Sequence, residues 1–148
     1  MQGEPLNILL VEDNFDHAEL IVRSFKSHRI ANKIIHVSDG EEALNYIFRT
    51  GKYENDDEYL IPNIILLDLR LPKVDGLEVL KEVKNSEHLK LIPVVVLTSS
   101  EAEKDIIKAY DLQVNSYLSK PLDFGKFQQL MDDLGFYWLG WNINPIHD

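Results

Sequence analysis

The chain has 148 residues, a formal net charge of −10 and no cysteine. That length fits one domain with room for a real core. The missing cysteine excludes a disulfide framework, thiolate metal sites and a cysteine nucleophile. The acidic balance argues against nucleic acid as a partner.

The first apolar run, Ile8 to Val11, is too short for a typical helix and is followed by helical period. There Phe15, Ala18, Val22 and Phe25 form a stripe with Ile21 beside it, and Asn14 is the N-cap candidate. A second run, Ile34 to Val37, precedes a helix carrying Ala43, Leu44, Ile47 and Phe48, with Asp39 as its cap. Residues 50–62 are polar and acidic and look inserted. The third run, Ile64 to Leu67, precedes a helix with Leu77, Leu80 and Val83. The fourth, Val94 to Leu97, leads into a helix over residues 101–110 carrying Ile106, Ile107 and Tyr110. A weaker strand, residues 115–118, comes before a helix from near Asp123 with Phe127, Leu130, Met131 and Leu134.

The order is therefore strand–helix five times. Continuous β-branched runs are expected for strands covered on both faces. The pattern predicts an α/β fold, a five-stranded parallel sheet doubly wound with right-handed crossovers. Residues 1–148 are expected to form a single domain, with a core over about 6–134 and a C-terminal extension over 135–148. In that extension Phe136, Tyr137, Trp138, Leu139 and Trp141 crowd together. They would pack on their own domain or make a homodimer contact. No apolar run approaches the ~18–20 residues that span a bilayer, so no membrane contact is expected. No signal peptide is visible, which makes the cytoplasm the expected compartment.

Ligands of open parallel sheets bind beyond the carboxyl ends of the strands. The first run is followed by Glu12 and Asp13, the third by Asp68 and the fourth by Thr98 and Ser99. After the fifth comes Lys120. Taken singly, an aspartate after a strand is most often a turn or cap residue, and a lysine a solvated one. Glu12 and Lys120 are poor caps, so capping does not explain the joint placement. Clustered carboxylates raise one another's pKa unless a cation offsets them, and oxygen ligands select Mg²⁺ or Mn²⁺. Lys120 adds a point charge and Thr98 a hydroxyl donor. With Asp68 as nucleophile the set suits phosphoryl transfer to a carboxylate.

These motifs are Leu10-Val11-Glu12-Asp13, Leu66-Leu67-Asp68-Leu69-Arg70-Leu71-Pro72, Asp75-Gly76, Leu97-Thr98-Ser99 and Tyr117-Leu118-Ser119-Lys120-Pro121. Together they resemble a response-regulator receiver domain of two-component signalling. The insertion and the aromatic C-terminus are similar to those of single-domain receivers of the bacterial phytochrome type. The resemblance implies the flavodoxin-like, CheY-like (βα)5 fold, with Asp68 as phosphoacceptor. It implies Mg²⁺ (or Mn²⁺) on Asp13, Asp68 and the Arg70 backbone carbonyl, with Glu12 acting through water. Thr98 and Lys120 would contact phosphoryl oxygens, Thr98 and Tyr117 would form the switch, and Lys120–Pro121 would be cis. The residues two beyond Asp68 and Thr98, Arg70 and Ser100, would tune the phosphoryl lifetime. The implied partners are a sensor histidine kinase and a downstream protein target.

Leu20 lies nearly opposite the first helix's stripe and His17 lies off it. Both are expected on an exposed docking face, joined by Pro121 and Leu122 after the fifth strand. Gly76 reads as a turn glycine with positive φ or as an ordinary helix-start glycine.

Other classes fit less well. A flavodoxin-like cofactor domain needs a phosphate-cradling loop where Glu12 and Asp13 stand. A Mg²⁺-dependent phosphohydrolase needs a second carboxylate where Arg70 stands, so no enzyme is expected. A phosphorylation-independent adaptor would not need the full set of chemical residues.

Overall fold

The computed structural model describes residues 6–27, 32–99, 103–121 and 123–136. Five strands, β1 (Leu6–Val11), β2 (Asn32–Val37), β3 (Ile64–Leu67), β4 (Val94–Thr98) and β5 (Ser116–Ser119), alternate with five helices. The helices are α1 (Phe15–Ser27), α2 (Gly40–Ile47), α3 (Gly76–Lys84), α4 (Glu103–Asp111) and α5 (Phe124–Phe136). The sheet is parallel in the order β2-β1-β3-β4-β5.

The strand alternation divides the core in two. Leu9, Val11, Ile65, Leu67, Val94 and Val96 share one cluster with residues of α2, α3 and α4, including Ala43, Val79 and Ala109. Ile8, Leu10, Ile64, Leu66, Val95 and Leu97 share the other with Ile21, Phe25, Phe127 and Met131 of α1 and α5. With a side-chain period of two and both faces covered, every residue of β3 and β4 must be apolar up to Thr98.

The expected caps hold. Asn14 Oδ1 accepts from the His17 N–H at 3.0 Å, and Asp39 Oδ1 from that of Glu42 at 2.7 Å. Asp123 Oδ1 accepts from the Lys126 N–H at 2.9 Å.

The buried arc of α1 differs from the expected stripe. Phe15 is 72% exposed and Leu20 only 7%. At ~100° per residue, the arc runs from Ala18 through Ile21 to Ser24 and Leu20. α5 covers that flank, placing Leu20 in the cluster with Phe127 and Met131. Leu20 is thus not an exposed docking contact. α4 is corrected likewise: Ile107 and Tyr110 are exposed, whereas Asp105 and Ala109 turn inward.

The insertion is ordered by three tyrosines. Tyr46 stacks near Tyr53 and Tyr59, with centroids 4.9 and 4.8 Å away. Its hydroxyl donates to the Leu60 carbonyl, and that of Tyr59 to the Tyr46 carbonyl, both at 2.7 Å. This cluster packs against the α2–α3–α4 side of the core, around α2.

Lys120–Pro121 is trans, since no peptide bond among the described residues is cis. The expected cis bond is therefore absent, and trans is the ordinary preference even before proline. Positive φ in the loop after β3 falls on Lys73, not on Gly76. The aromatic stretch 137–141, Ser100 and Leu122 lie outside the described residues.

Candidate functional site

Parallel pairing brings the carboxyl ends of β1, β3, β4 and β5 to one edge. Glu12 and Asp13 follow β1, Asp68 follows β3, Thr98 ends β4, and Lys120 comes directly after β5. The backbone fixes them there: the Asp68 N–H donates to the Val11 carbonyl at 3.1 Å and that of Lys120 to Thr98 at 2.8 Å. Glu12, Asp68, Thr98 and Lys120 are buried, and Asp13 is exposed at the mouth.

Asp68 is the centre. Its Oδ1 accepts from Thr98 Oγ1 at 2.8 Å and from the Arg70 N–H at 3.2 Å. Its Oδ2 accepts from Lys120 Nζ at 2.8 Å. The same ammonium donates to Glu12 Oε1 at 2.6 Å. One lysine thus bridges two buried carboxylates that would otherwise repel.

Burial pushes the Glu12 carboxyl up to about 7, with Lys120 opposing and Asp68 adding to the rise. Carboxylate oxygens of Glu12, Asp13 and Asp68 lie within 4.8 Å of one another. With Glu12 ionised, three carboxylates against one ammonium leave an excess of two negative charges. Hard oxygen donors with that excess fit a divalent cation such as Mg²⁺ or Mn²⁺. Glu12 and Asp68 each already hold Lys120, so Asp13 is the carboxylate nearest open solvent.

His17 turns inward from α1. Its Nδ1 lies 3.1 Å from Lys120 Nζ, and its ring rests on Phe127 at a centroid distance of 5.1 Å. Burial and then the Lys120 charge lower its pKa. The Arg70 side chain reaches α4, its Nη2 2.5 Å from Asp105 Oδ2. Tyr117 and Pro121 are half-buried. The sequence reading missed Asp105. Its signal was the spacing to Ala109 one turn later, which puts an acid on the inner face of α4.

The family model of the response regulator receiver domain matches residues 8–132. The chain belongs to the response regulator receiver domain family. This receiver is 46% identical over 142 residues to a probable methanogenesis regulatory protein, FilR2, of Methanothrix harundinacea. That match covers 96% of this chain and 89% of FilR2. It is 42% identical to the response regulator Rcp1 of Synechocystis, over 91% of this receiver and 90% of Rcp1. Among solved structures, the Mn²⁺-bound form of Rcp1 superposes with a TM-score of 0.92 at 41% identity, covering 96% of this receiver and all (100%) of that chain. The phosphorylated cyanobacterial phytochrome response regulator RcpA gives 0.91 at 39% identity, covering 97% and 100%. The five-stranded receiver fold and the resemblance to phytochrome-type regulators are thereby established.

Proposed function

We propose that this receiver takes a phosphoryl group on Asp68 from a sensor histidine kinase and passes the signal to a protein target. The observation that carries the reading is Asp68 held between Thr98 Oγ1 and Lys120 Nζ, both at 2.8 Å. In the transfer, an Asp68 oxygen forms the new bond to phosphorus while the bond from phosphorus to the donor breaks. Asp68 then loses its negative charge and three new acidic oxygens appear beside it. Thr98 and Lys120 turn their hydrogens from the carboxylate to those oxygens, so no new donor has to be recruited. Asp13, Asp68 and the Arg70 carbonyl would hold Mg²⁺ (or Mn²⁺), with Glu12 acting through water. When bound, the cation supplies positive charge opposite the phosphoryl oxygens.

Movement of Thr98 toward the phosphoryl group would leave space for Tyr117, half-buried on neighbouring β5, to turn inward. We assign the response to the α4–β5–α5 face, where Ile107 and Tyr110 are already exposed. Docking of the kinase is assigned to the active-site end of α1 and to Pro121. Exposed Phe15 and Phe124 begin α1 and α5 there, in place of buried Leu20. Signalling rather than turnover is favoured because the residue two beyond Asp68 is a cation engaged with Asp105 and not a carboxylic acid. No described helix is long and apolar enough to cross a membrane. A cytoplasmic site of action fits a cytoplasmic kinase domain.

Intact-mass analysis with acetyl phosphate tests the reading. A single Mg²⁺-dependent phosphoryl adduct is expected, absent in Asp68→Asn. No adduct in the wild type would point to an adaptor that works without phosphorylation.

A further inference from the structure

The ammonium of Lys120 has three hydrogens and no lone pair. The structure gives each hydrogen a partner: Glu12 Oε1 at 2.6 Å, Asp68 Oδ2 at 2.8 Å and His17 Nδ1 at 3.1 Å. His17 must therefore be the acceptor, which fixes it as the neutral ring with its proton on Nε2. The ring cannot easily swing away, because its other side rests on buried Phe127 of α5.

We infer that His17 is a positioning residue for phosphoryl transfer, holding Lys120 by its third hydrogen so that the ammonium stays aimed at Asp68. The inference rests on the phosphoacceptor reading above. Its physical content concerns one change. When Asp68 becomes an acyl phosphate, it loses the charge that holds the ammonium. Glu12 and His17 keep theirs as acceptors, so two anchors persist while one hydrogen is redirected to a phosphoryl oxygen. A lysine has four rotatable carbons, and one anchor would leave it a broad range of positions. Two anchors on α1 and its preceding turn confine it to an arc that includes Asp68. Assigning His17 to an exposed docking face overlooked this use, because its side chain lies against Lys120 and Phe127.

Two substitutions separate the acceptor from the ring. His17→Phe keeps a ring against Phe127 and removes the acceptor. His17→Asn removes the ring and places a carbonyl oxygen near the position of Nδ1. Initial rates of adduct formation with acetyl phosphate and Mg²⁺ are compared with the wild type by intact mass. His17→Phe is expected to be slower by about tenfold, the lower end for one hydrogen bond to a charged group. His17→Asn is expected to retain most of the wild-type rate. A His17→Phe rate equal to the wild type overturns the inference while leaving the phosphoacceptor reading intact. So does His17→Asn as slow as His17→Phe, which would assign the effect to packing. A wild type that takes no phosphoryl group overturns both. Independently of any variant's folding, nitrogen NMR of the wild-type imidazole should show Nε2 protonated and Nδ1 bare. A proton on Nδ1 excludes the hydrogen bond from Lys120.

Discussion

Arg70 Nη2 lies 2.5 Å from Asp105 Oδ2, joining the loop two residues beyond Asp68 to the inner face of α4. The partners differ in exposure: the side chain of Arg70 is 58% exposed and that of Asp105 only 6%. Removing the arginine takes a cation from a carboxylate that water barely reaches. Removing the acid returns a guanidinium to solvent. Arg70→Ala should therefore cost about 1–2 kcal/mol of stability and Asp105→Asn less than about 1 kcal/mol. Urea denaturation of both variants checks this. Equal losses would mean that the burial of Asp105 contributes nothing to the pair.

Glu12 makes the site sensitive to pH near neutrality. Burial raises its carboxyl from 4.5 to about 7. Between those values the folded chain keeps a proton that the unfolded chain has released, so this group's contribution to stability falls as pH rises through that window. A cation site needs the ionised form. Apparent Mg²⁺ affinity should therefore climb between about pH 6 and about pH 8, by up to tenfold per unit below the pKa. Calorimetric titration across that range tests it, and Glu12→Gln should flatten the profile. An affinity that is flat in the wild type would show that Glu12 is already ionised at the acid end.

The fold was legible because it rests on local patterns. The runs at residues 8–11, 34–37, 64–67 and 94–97 lie inside β1 to β4, and Asn14 and Asp39 cap where they should. The site was legible for the same reason, since strand ends in a parallel sheet need no side-chain detail to be placed together. What failed were choices made by helix–helix contact. Whether Leu20 or Phe15 is buried depends on where α5 lies, and a single helix's periodicity is silent on that. Asp105 and Ile107 of α4 were misread likewise. An acid on the inner face of a helix is admitted only by a cation from elsewhere, here Arg70, 35 residues earlier. His17 shows the same limit at the site, because its partner lies 103 residues away. The ordering of residues 50–62 by Tyr46, Tyr53 and Tyr59 was hidden by their polar composition.

Gly76 offers a sharp check on the backbone support of Asp68. It begins α3, and its backbone is not in the positive-φ region. It is required for proximity instead. A Cβ there would lie 2.5 Å from Leu69 Cα and closer still to the carbonyl oxygen of Asp68. Both are backbone, so neither can yield by a rotamer change, and the Gly76 N–H already donates to the Leu69 carbonyl at 2.9 Å. Alanine would ordinarily gain about 0.5–1 kcal/mol over glycine in a helix. Gly76→Ala should reverse that sign and cost about 1–3 kcal/mol by overpacking. Gly125→Ala in α5 is the control. Among the described residues its Cβ would meet only the side-chain oxygen of Asp123, at 3.2 Å, so it should be near neutral. Thermal denaturation of the two variants measures the contrast. Because the displaced atoms belong to residues 68 and 69, Gly76→Ala should also slow adduct formation under conditions where it remains folded. A folded Gly76→Ala protein phosphorylated at the wild-type rate would show that Asp68 tolerates movement of its own backbone.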